Sequence, residues 1–94
     1  MNQPSMADQY LQEAIDCLGN RAAERDKGQE RSMATAVAAF NAMFNKDLTE
    51  EQGWQFMVFL KISRAKAGTF KADDYTDMAA YAALSGEAAA KHRG

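Results

Sequence analysis

Apolar residues recur along this chain at intervals of three and four, with no run of strict alternation, so the pattern predicts helices rather than strands. Tyr10, Leu11, Ala14, Ile15 and Leu18 share a face and predict a first helix from about Met6 to Leu18. Ser5 suits its N-cap and Asp8 its positive end, and Gly19-Asn20 reads as its stop. Ser32 to Phe44 forms a second helix, with Met33, Val37, Phe40 and Phe44 in one stripe and five alanines on other sides. Asn45-Lys46-Asp47 is the turn that follows. Thr49-Glu50-Glu51-Gln52 has the form of a capping box, Thr49 as N-cap and Gln52 reaching back. It opens a third helix that runs to about Ala67, with Gly68 beyond as the stop. Trp54, Met57, Val58, Leu60 and Ile62, with Phe56 and Phe59, make this helix apolar nearly all round, which places it centrally in the fold or in an oligomer. A fourth helix runs from about Asp74 to Ala90, capped by Asp73 or Asp74, and Lys91-His92-Arg93 suits its negative end.

Between the first two helices, Arg21 to Arg31 is polar and dense in charge. One reading is a solvated linker with a helical turn; another is a loop that closes on phosphate through Arg21, Arg25, Lys27 or Arg31. The remaining ends read as tails, residues 1–5 loose and 91–94 past the last helix, around a single helical domain spanning 1–94.

Composition narrows the function more than the fold. A chain of 94 residues accommodates one domain. Its apolar set is rich in Ala and Met and poor in Val and Ile, which favours closely packed helices. The net charge of -2 and the lack of a dense Lys/Arg cluster argue against nucleic acid as a partner. Cys17 stands alone, so no intrachain disulfide forms, and one Cys with one His excludes a metal site built from those residues. Cys17 reads as a small core residue, and His92 as exposed and idle. The absence of a disulfide, of a signal-peptide pattern and of a membrane-length apolar run fits a reduced, cytoplasmic setting.

The candidate chemistry lies in Asp73-Asp74-Tyr75-Thr76-Asp77. On a helix, Asp74 and Asp77 are one turn apart and share a face with Met78 and Tyr81. Two carboxylates so placed suit a hard divalent cation. They equally suit the start of a helix and ion pairs with Lys61 and Arg64. The short connection makes helices three and four antiparallel neighbours. Lys61 and Arg64 then fall close to Asp74 and Asp77, and Glu51 falls near the other end, by Leu84 and Ser85.

Three stretches carry a likeness. Glu24-Arg25, Glu30-Arg31 and Met33-Ala34 come first. Leu48-Thr49, Gly53-Trp54, Met57 and Leu60-Lys61-Ile62-Ser63-Arg64 follow. Asp73-Asp74-Tyr75, Asp77 and Ala80-Tyr81-Ala82-Ala83-Leu84 complete it. Together they resemble a family of small uncharacterised proteins of tailed phages and prophages, over about Tyr10 to Glu87. That family is distantly similar to the all-helical nucleoside triphosphate pyrophosphohydrolases of the MazG and dUTPase type. Those enzymes hold magnesium with a Glu-Glu-x-x-Glu segment on one helix and a Glu/Asp-x-x-Asp segment on the next. Asp74-x-x-Asp77 matches the second segment. Glu50-Glu51 lacks the third acid of the first, and Lys61 and Arg64 stand where acids are wanted.

The expected fold is therefore all-α, a four-helix, MazG-like bundle with a central antiparallel pair of helices. The apolar faces of helices two and three exceed what one short chain buries, so a homo-oligomer is expected, with Trp54 as its interface anchor. The leading expectation for function is a phage-encoded helical accessory protein that does not catalyse. The alternative that the resemblance implies is a magnesium-dependent nucleoside triphosphate pyrophosphohydrolase. There Asp74 and Asp77, with Glu51 as a possible third, hold the metal, and Lys61 or Arg64 contacts the nucleotide phosphate.

Overall fold

The computed structural model describes residues 6–25 and 32–94, with residues 21–25 as backbone alone. It contains four helices: α1 (Met6–Arg25), α2 (Ser32–Phe44), α3 (Glu50–Ala67) and α4 (Ala72–Arg93). No strand occurs among the described residues, and the all-α expectation holds.

Helices α3 and α4 pack most extensively and run antiparallel. The start of α3 meets the end of α4 where the Ser85 hydroxyl donates to the Glu51 carbonyl, at 3.2 Å. The later part of α3 meets the start of α4 where Lys61 reaches Asp77. Helix α1 lies on α4, and α2 lies on α3. Among the described residues α1 and α2 share no contact, so the central pair separates them. The core is correspondingly thin. Among the described residues its buried apolar members are Ala14, Val37, Ala80, Tyr81, Leu84 and Ala88, and half of these are alanines.

Several element ends follow the local chemistry. Thr49 is the N-cap of α3: its hydroxyl accepts from the Gln52 amide at 3.1 Å, and the Gln52 side chain accepts from the Thr49 amide at 2.9 Å. Just past the end of α2, Asn45 takes a left-handed φ of 55°. The Lys46 amide then donates back to the Asn41 carbonyl at 3.1 Å, the closing bond of a Schellman motif. Asn41 also clasps the turn. Its Nδ2 donates to the Leu48 carbonyl and its Oδ1 accepts from the Leu48 amide, both at 2.8 Å.

Three expected boundaries move. Helix α1 passes through Gly19-Asn20 and reaches Arg25. An interior glycine costs only about 1 kcal/mol against alanine, and the Ala22-Ala23-Glu24-Arg25 stretch beyond it favours helix. Helix α4 begins at Ala72 with Lys71 at the N-cap, which makes no side-chain cap bond. Asp73 and Asp74 therefore sit inside its first turn, where their charge favours the helix end without capping it. Helix α4 also continues to Arg93, so Lys91, His92 and Arg93 form its last turn.

Candidate functional site

Helix α4 presents its acidic start to the later part of α3. Asp74 is buried and Asp77 half-buried, one turn apart as the sequence implies. Lys61 Nζ lies 2.8 Å from Asp77 Oδ2, with the two side chains 12% and 23% exposed. This is a short, charge-assisted contact in a place largely withdrawn from water. Arg64 is exposed and joins no ion pair among the described residues. Of the two cations expected beside the acids, Lys61 makes the contact.

Glu51 lies at the opposite end of the hairpin. Arg93 grips it with two hydrogen bonds, Nε to Oε1 at 3.0 Å and Nη2 to Oε2 at 2.9 Å. Gln55, one turn along α3, donates to Oε2 at 3.3 Å. The Arg93 hydrogen bond is the largest influence on the Glu51 carboxyl. It holds the acid below its ordinary value against a smaller opposing effect of burial. Beside this fork, His92 Nε2 approaches Glu50 Oε1 to 3.6 Å. His92 is exposed, as expected.

The two ends of α3–α4 are therefore each closed by opposite charges. The three candidate carboxylates do not gather at one place. Asp77 is held by Lys61 at one end of the pair and Glu51 by Arg93 at the other. Among the described residues no group of three or more His, Cys, Asp or Glu side chains is placed to hold a metal ion. Taken as a ligand shell for magnesium, the set is incomplete, because a hard cation requires several converging oxygens.

Trp54 is half-buried and stacks on Tyr81 of α4, with ring centroids 5.8 Å apart and planes at 22°. The more exposed aromatic side chains of α3 are Phe56 and Phe59. Cys17 is half-buried on α1. A contact that the pattern did not announce joins α1 to α4. Thr76 Oγ1 donates to Glu13 Oε2 at 3.1 Å. Its only sequence signal is that Glu13 lies one residue from the apolar face of α1.

Nearby, Tyr75 meets Tyr10 edge-on and stacks on Phe70, at centroid distances of 6.3 and 6.0 Å. With Ala7 and Leu11 these rings line a shallow, almost wholly apolar groove. The loop proposed to close on phosphate lies outside the described residues: the side chains of Arg21 and Arg25, and Lys27 and Arg31 altogether.

Comparison with known proteins gives a family. The model of a domain of unknown function, DUF6378, matches residues 9–89, and the chain belongs to that family. No curated protein and no solved structure matches it.

Proposed function

We propose that this DUF6378 chain is a non-catalytic, homo-oligomeric interaction protein. In this reading it is encoded by a phage or prophage, works in the host cytoplasm and keeps a MazG-like helical scaffold. The observation that carries the reading is the Lys61–Asp77 ion pair. An ammonium at 2.8 Å occupies the carboxylate that magnesium would need, and it opposes a second positive charge there. The Glu51–Arg93 fork supports it, because a third acid drawn to the far end of the hairpin is unavailable to Asp74 and Asp77.

The competing reading is the magnesium-dependent pyrophosphohydrolase. What favours it is Asp74, a buried carboxylate one turn from Asp77. Thermal melting with and without millimolar magnesium separates the two, run beside an assay for pyrophosphate release from nucleoside triphosphates. The expected outcome is an unchanged melting temperature and no release. A magnesium-dependent rise that disappears in Asp77→Ala, accompanied by pyrophosphate release, would overturn the non-catalytic reading and assign Asp74 and Asp77 to the metal.

A further inference from the structure

Helix α2 contains no charged residue in thirteen, and Val37 is its one buried side chain. A helix that is apolar on all sides belongs in an interior, yet among the described residues α2 touches only α3. Phe40, Met43 and Phe44 stand 42%, 77% and 56% exposed, with the two phenylalanine rings 5.0 Å apart. Helix α3 repeats the pattern on the arc turned away from α4. Phe56 and Phe59, each 65% exposed, and Ile62 recur there every three residues. Gln52, Gln55 and Ser63 lie between them, and the arc's charge is confined to Lys66.

We infer that this outer face of α2 and α3 is the seat of a second copy of the same chain, joined about a two-fold axis with Phe44, Phe56 and Phe59 as anchors. The inference deepens the oligomeric reading above and rests on it. Area is the first argument. At about 200 Å² for a whole aromatic side chain, the exposed parts of the four phenylalanines with Met43 and Ile62 amount to roughly 700 Å² of apolar surface. A stable interface takes about 800 Å² from each partner, whereas the largest apolar patch of an ordinary monomer is about 300–600 Å².

Charge is the second argument. A two-fold axis sets each patch against itself, so every charge near the axis meets its like. The α2–α3 face carries almost none.

Sedimentation equilibrium over a concentration series is the test, with Phe59→Glu and Phe44→Glu as face variants. Ile15→Glu is the control, an apolar side chain on α1 that is 60% exposed. The parent and Ile15→Glu are expected to dimerise alike, and the face variants to associate at least tenfold more weakly. Circular dichroism and the emission of Trp54, which lies on the other side of α3, should be retained in every variant.

If a face variant fails to fold, hydroxyl-radical footprinting of the parent decides instead. Met43, Phe44, Phe56 and Phe59 should be protected in the assembled fraction and labelled on dilution. A parent that stays monomeric at hundreds of micromolar overturns both this assignment and the oligomeric reading, and leaves the face to a different protein. A dimer that survives Phe59→Glu and Phe44→Glu, or is lost in Ile15→Glu, overturns the face alone. Equal labelling of those side chains at high and low concentration does the same.

Discussion

Lys61 and Asp77 meet where water is scarce, so each depends on the other for its counter-charge. Removing one partner leaves an unpaired charge in a largely buried place. Asp77→Ala is expected to cost about 3 kcal/mol in urea unfolding. Replacing both charges with apolar groups of similar volume, Lys61→Met with Asp77→Leu, should recover most of that loss. Equal losses in the single and double variants would refute the pairing. The Glu51–Arg93 fork makes a different demand. Because the Glu51 carboxyl is held below its ordinary value in the folded chain, its stabilising effect is complete above the ordinary carboxylate range. It is lost as pH falls through the folded value. Over that acid window the parent should lose stability more steeply than Arg93→Ala, and parallel slopes would sink the assignment. The two contacts were not equally legible. Lys61–Asp77 followed from helical spacing and one short connection. Arg93 was hidden because Lys91-His92-Arg93 read as a tail, whereas one further helical turn brings its long side chain back to Glu51.

At the scale of an element, α2 is seated through Gly53. A β-carbon there would lie 2.5 Å from Met33 Sδ and 2.9 Å from Val37 Cγ2. Methionine can bend away, but a β-branched methyl group cannot. Gly53→Ala gains about 1 kcal/mol of helix propensity, which the clash should exceed, typically by about 1–3 kcal/mol of overpacking. Amide exchange is the informative readout: α2 should lose protection while α4 keeps it. Uniform protection would mean that α2 is held by something other than this approach. The helices themselves were plain in the sequence because their signals are local. The capping box at Thr49 and the asparagine at the end of α2 each act within a few residues. The stop read at Gly19 failed for the same reason, since a single glycine is a weak breaker against the helix formers that follow it.

The described helices form a thin assembly, with α1 on α4, α2 on α3 and no contact between α1 and α2. The apolar excess of α2 and α3 was visible in composition, but its location was not, because periodicity cannot say which of several apolar faces a neighbour covers. The division of α1 and α2 between opposite sides of the central pair has a kinetic consequence. The α3–α4 hairpin closes across a short connection, whereas α1 reaches α4 over 63 residues in the Glu13–Thr76 contact. Short loops close at lower entropic cost, and local contacts form fastest. The hairpin should acquire protection first in pulse-labelled exchange, α1 should dock late, and the reverse order would exclude that route. Since α1 and α2 never touch among the described residues, substitutions on the two should add without coupling. The molecule then folds as two independent attachments to one template.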